Sequence, residues 1–368
     1  MAIKIVKSLL LLGVLLALVN AAPIFSQNLQ PKPLPYFDDG RADMNSAAAD
    51  AASTLMEKQP NDVLAPDTQV IQLNFNPIGT GRCEVVITTW PEEAETAVRH
   101  AAAIWSTLLN GSQPIVIDVC WTNDPNLPST GGLLANCGFS GVYLDPPGAP
   151  QQDTLYPLPL ANQLSGSDLN GANPDMQCRF NANRIDWYMN TDGIVPAGKF
   201  DLVSTAMHEI GHGLGFSGTL DWDNGVNNPA AGDFMECNNV RGSGCYNTPP
   251  LIYDRFVQTT AGTSILSFSN NSTTLGDILK GDALVFNGAN AKAANGGAAP
   301  RLFAPDPWEP GGSYQHLRED SFQNVANGLM TPYMPDGTAI HHPRRKQKSR
   351  PFYANDFTSG RRVAPAET

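Results

Sequence analysis

The sequence predicts an α+β fold, and three observations carry that expectation. Apolar, β-branched runs at residues 70–76 and 114–121 bracket a stretch with helical periodicity, giving strand, helix and strand in succession. A second amphipathic helix starts near Asp201 and contains the segment HEIGH. Beyond Gly218, frequent Gly, Pro and Asn break the chain into loops and short elements.

In chain order, Lys4 and Lys7 precede an apolar run from Ser8 to Val19, followed by the small residues Ala21 and Ala22. This pattern reads as a signal peptide at residues 1–21. The run is shorter than the roughly 20 residues needed to cross a bilayer, so export without stable membrane insertion is expected, to the exterior or the periplasm. Residues 22–67 lack an apolar period and read as a linker or propeptide.

Order is expected to begin with two strand-like runs, VIQLNFN at 70–76 and CEVVITTW at 83–90. The next helix has Ala94, Val98, Ala101, Trp105 and Leu108 at helical spacing, starts at Pro91 with an acidic first turn, and stops at Asn110-Gly111. The run PIVIDVCW at 114–121 is the third strand. Between residues 122 and 196 only short strands near 142–144 and 184–189 stand out. Leu202, Ala206, Ile210 and Leu214 then place a partly buried helix under HEIGH, with Gly213 and Gly215 to end it. Short helices are expected at 251–257 and 274–279.

A chain of 368 residues accommodates one large domain or two lobes about a cleft. Its formal charge of -12 argues against general nucleic-acid binding, which needs positive charge to neutralise phosphates. The basic run PRRKQKSR reads as part of a solvated tail at 343–368. Six cysteines in an exported chain point to disulfide bonds, although only Cys237 and Cys245 are close enough to suggest a local loop. No CxxC pair is present, which disfavours a thiolate zinc knuckle.

The chemistry concentrates in HEIGH. Four residues apart on a helix, His208 and His212 project from one face and can share a tetrahedral zinc. Glu209, beside them, is placed to act as general base on a metal-activated water and not as a ligand.

The stretch HEIGHGLGF resembles the metzincin pattern HExxHxxGxxH, in which Gly215 lets the chain leave the helix toward a third ligand. The usual third histidine would fall at Gly218. The sequence is therefore more similar to the leishmanolysin-like branch, which inserts a long segment before that histidine and follows it with a methionine turn. The run GGSYQHLREDSFQNVANGLMTPYM supplies His316 and then Met330. Further similarity to secreted bacterial peptidases covers YPLPLANQL, FDLVSTAMHEIGHGLGF, YDRF and GLMTPYMPDG. The tail after His342 departs from that group, where a helix follows the methionine turn.

The resemblance implies a two-lobed metzincin-like fold, with an upper lobe of mixed sheet and helices at 68–218 and a loop-rich lower lobe at 219–342. It implies zinc held by His208, His212 and His316, with Met330 as a support beneath the metal. Three protein ligands plus water is the usual catalytic zinc arrangement. Asp221 and Asp223 are out of register for the third ligand, His341 and His342 lie beyond the methionine turn, and His100 belongs to the first helix. Tyr333 is a candidate oxyanion donor, with a core or rim role as its alternative. No EF-hand spacing supports calcium. The implied activity is hydrolysis of protein or peptide substrates lying along an edge strand. A non-proteolytic zinc-containing binding module and a zinc hydrolase of another amide bond are the rivals.

Overall fold

The computed structural model describes residues 32–33, 69–76, 83, 87–223, 241–322 and 328–341. Strand β1 (Lys32–Pro33) is followed by β2 (Ile71–Phe75), helix α1 (Glu92–Leu108) and β3 (Ile115–Thr122). Because β2 and β3 are parallel, their connection must cross over, and α1 provides the crossover. All residues of β3 except Val116 are buried, which explains its almost unbroken apolar run.

The chain continues through β4 (Ala135–Phe139), β5 (Gly141–Leu144), β6 (Leu155–Pro157), helix α2 (Leu158–Ser165) and β7 (Met176–Asn181). The main sheet has the order β2-β3-β7-β4, with β7 parallel to β3 and β4 antiparallel to β7. Thus, among the described residues, β4 is an edge strand. A smaller sheet, β1-β5-β6, is antiparallel.

Strands β8 (Trp187–Tyr188) and β9 (Phe200–Asp201) lead into α3 (Leu202–Gly213). This helix packs against α1 and across β4 and β7. Fully buried Ala94, Ala97 and Ala101 present small side chains within the core, and Trp105 Nε1 donates to the Met207 carbonyl at 2.9 Å. The first helix is thereby tied to the backbone just before His208.

Beyond α3 the elements are short: β10 (Asp221–Trp222), β11 (Gly244–Cys245), β12 (Val257–Thr259), α4 (Thr273–Leu279), β13 (Leu284–Phe286), α5 (Ala289–Ala294) and α6 (Glu319–Phe322). Buried side chains from these elements and the loops between them, among them Tyr253, Phe286 and Tyr314, join the same hydrophobic core as the main sheet. The described residues thus form a mixed α+β structure in one compact unit. No helix among them is long and apolar enough to cross a membrane.

Several expectations are corrected. Residues 87–90 form no strand, only an isolated bridge from Ile87 to Thr122. The helix expected at 251–257 is a single 3₁₀ turn, Asp254–Phe256, because Val257 is extended and passes directly into β12, paired with β13. The region 122–196 is richer than expected, holding α2 and two strands of the main sheet.

Disulfides join Cys83 to Cys120 and Cys137 to Cys178, the latter across directly paired residues of β4 and β7. Cys245 is also disulfide-bonded, while Cys237 lies outside the described residues. Residues 1–21, nearly all of 22–67, and 343–368 also lie outside them.

Candidate metal centre

Helix α3 begins where Asp201 caps it, its Oδ2 accepting from the Ser204 amide at 2.8 Å. Four-residue spacing then brings the His208 and His212 rings to 4.7 Å between centroids. Gly215 ends the helix at φ 115, a conformation open to glycine and strained for other residues. The turn carries the Phe216 carbonyl back to within 2.7 Å of His212 Nδ1.

The third imidazole comes from far along the chain. His316 follows the loop 309–315 and its Nδ1 lies 2.8 Å from the Gly312 carbonyl. Its neighbour Leu317 donates to the Met330 carbonyl at 2.7 Å, which joins this segment to the 3₁₀ turn Gly328–Met330. That turn supplies the Leu329 carbonyl, 2.6 Å from His208 Nδ1. Met330 is fully buried under α3, where a Cβ added at Gly211 would lie 2.8 Å from its sulfur.

The Nε2 atoms of the three histidines converge. They lie 3.1 Å apart for His208 and His212, 3.1 Å for His212 and His316, and 3.3 Å for His208 and His316. Each Nδ1 faces a carbonyl oxygen, which can only accept, so each Nδ1 carries the proton. Burial lowers the His208 pKa to about 4 and that of His316 to about 3, and holds His212 well below its ordinary value. The rings are neutral near pH 7, and three Nε2 lone pairs meet at one place. Such a trio can hold a metal ion. A tetrahedral centre with bonds of about 2.0–2.1 Å sets its nitrogen ligands about 3.3 Å apart, and these spacings fit it.

The trio opens into a cleft of about 520 Å³. One wall is the edge strand β4 with the preceding residues 131–134, and another comes from Glu309 to Gly312 and Tyr333. Glu209 is buried and lines this cleft between the two histidines of its helix.

The other candidates lie elsewhere. His341 pairs with Asp201 at 2.7 Å at the start of α3, and His100 packs edge-on against it at 5.9 Å. Asp221 and Asp223 are not part of the trio, and His342 is outside the described residues. Tyr333 stands exposed at the cleft rim with its phenol donating to Glu309, and partial burial together with that carboxylate pushes the phenol up to about 12.

Sequence reasoning missed the three carbonyl acceptors, which no side-chain pattern encodes. It also missed β4 as the cleft wall, since ANCGF carries little strand signal. No protein-family model, curated protein or solved structure matches this chain.

Proposed function

We propose that this chain is an exported zinc endopeptidase with a two-lobed, metzincin-like build. The observation that carries the reading is the convergence of three neutral imidazoles at 3.1–3.3 Å beside Glu209 in an open cleft. Structural zinc sites are usually closed by four protein ligands, whereas catalytic sites use three and leave a position for water. Among the described residues three donors converge here, which favours the catalytic case over a binding module.

Zinc bound at such a site lowers the pKa of water to near 7 and polarises a carbonyl. The chain's own groups do the rest. Glu209 accepts the proton of the attacking water and passes it to the departing amine. The carbonyls of Leu329, Phe216 and Gly312 hold the three rings in one tautomer and orientation, and raise their basicity as ligands. Among the described residues strand β4 is paired by β7 on one side only, and its outer edge suits an extended peptide adding as a further strand. That mode favours a polypeptide substrate over another amide. The disulfides support export to an oxidising compartment.

The test is cleavage of an unfolded generic protein by the purified chain, with and without a zinc chelator, beside Glu209→Gln. Chelator-sensitive cleavage that falls by about 10²–10⁴ in Glu209→Gln, with bound zinc retained, is expected for a general base. Cleavage unaffected by either change removes the site from the chemistry. A zinc-loaded protein that cleaves nothing favours the binding module.

A further inference from the structure

We propose that Asp254 is a positioning residue for His316, acting through Tyr314 to fix the loop that delivers the third imidazole. The proposal rests on the metal reading above. It starts from a backbone outlier. Tyr314 has φ 72, a left-handed conformation that is rare for a bulky residue and persists only where its surroundings impose it.

Those surroundings are specific. The Tyr314 phenol donates to Asp254 Oδ1 at 2.8 Å, and its amide donates to the Phe303 carbonyl at 2.7 Å. Its carbonyl accepts from the Tyr253 hydroxyl at 3.0 Å. The ring is buried and packs edge-on against Tyr253 at 5.5 Å. Phe303 closes the loop by donating from its amide to the His316 carbonyl at 2.8 Å. Tyr314 and His316 are therefore clamped to the same residue, two positions apart.

Asp254 connects this loop to the other two histidines. It is fully buried and accepts from the Thr219 amide at 3.0 Å, the Thr219 hydroxyl at 2.7 Å, the Leu251 amide at 3.0 Å and the Tyr314 phenol. Thr219 follows the exit of α3, so one carboxylate links the exit of the His208–His212 helix with the loop carrying His316. Four donors match the acceptor sites of a carboxylate, and an amide would oppose two of them with its own N–H groups. Gly218 adds a second observation. A Cβ there would lie 2.2 Å from the Tyr314 ring and 2.5 Å from Asp254 Oδ1. The position where the uninterrupted HExxHxxGxxH pattern would place its third histidine is thus closed against any side chain by this hub.

A residue that acts on the metal through His316 shows coupling to it that a purely structural residue does not. Cobalt(II) is titrated into the full chain as wild type, Tyr314→Phe, Asp254→Asn, His316→Ala and Tyr314→Phe/His316→Ala, following visible absorption and affinity. Tyr314→Phe keeps the ring and removes one hydrogen bond. It is expected to weaken cobalt about 10- to 100-fold, as loss of support behind a ligand does, and to alter the absorption spectrum. In the His316→Ala background the same change is expected to shift affinity less than about twofold, since the residue it acts through is gone. Wild-type affinity in both Tyr314→Phe and Asp254→Asn overturns the proposal, as does an equal loss in the presence and absence of His316. If Asp254→Asn does not fold, Tyr314→Phe decides alone. A wild-type chain that binds no cobalt overturns the metal reading itself, and this proposal with it. Binding by wild type with unchanged variants overturns only the positioning role.

Discussion

His316 lies 104 residues beyond His212, and their Nε2 atoms stand 3.1 Å apart. A separation that large has no local cause. It is imposed by the Leu317–Met330 backbone bond, the Gly312 carbonyl and the buried loop around Tyr314. His316→Ala is therefore expected to leave α3 folded while weakening zinc by at least about 100-fold, consistent with losing one of three protein ligands. Competition with a chromogenic chelator measures it, and unchanged affinity removes His316 from the site.

Gly218 is predicted to tolerate no side chain. Its added Cβ would meet Tyr314, Asp254 and Tyr253 at 2.2, 2.5 and 2.7 Å, and Tyr314 and Tyr253 are held by their own packing. Gly218→Ala should cost about 1–3 kcal/mol by overpacking. Denaturant unfolding of the disulfide-intact protein measures this, and a midpoint equal to wild type contradicts the close approach.

The metal-free protein should lose stability on acidification. In the fold His208 titrates at about 4, His316 at about 3 and His212 well below its ordinary value, against about 6.5 when unfolded. The unfolded chain thus binds more protons between pH 6.5 and 4, and stability present above 6.5 falls through that window. Each neutral histidine contributes up to about 1.4 kcal/mol per pH unit. Asp175 works oppositely, because burial raises it to about 6 and its contribution is lost as pH rises from about 4 to 6. Burial raises the Asp254 carboxyl in the same direction, so three histidines stand against two carboxylates and outweigh them. Denaturation midpoints in chelator at pH 7.5 and 5 should fall toward acid, and a flat or rising profile contradicts the assignment.

Zinc should raise thermal stability, because the converged trio exists only in the folded chain. Zinc at a thousand times its dissociation constant adds about 4 kcal/mol by mass action. Calorimetry with and without chelator checks this. An unchanged midpoint means that zinc binds folded and unfolded chains alike.

Legibility in the sequence followed the range of the forces involved. The helix α3 was readable because Leu202, Ala206 and Ile210 repeat at its period and HEIGH is local. Strand β3 and helix α1 were readable for similar reasons. Strand β4 was not, since a Gly- and Asn-containing edge strand with a cystine at its centre owes its place to β7 and not to propensity. At the site, the positions of His208 and His212 followed from spacing alone. The placement of His316 was an expectation from resemblance, and the Asp254–Tyr314 hydrogen bond that spans 60 residues left no local signal. The turn at 251–257 differs from the helix expected because Val257–Thr259 pairs with β13, a contact distant in sequence that leaves no local signal.

The most direct measurement is elemental analysis of the purified, folded, full-length chain after dialysis against buffer containing micromolar zinc. About one zinc per chain in wild type, falling to well below half in His208→Ala, is the expected result. A folded wild-type protein that retains no divalent metal contradicts the convergence of three imidazoles as a metal centre, and the peptidase reading with it.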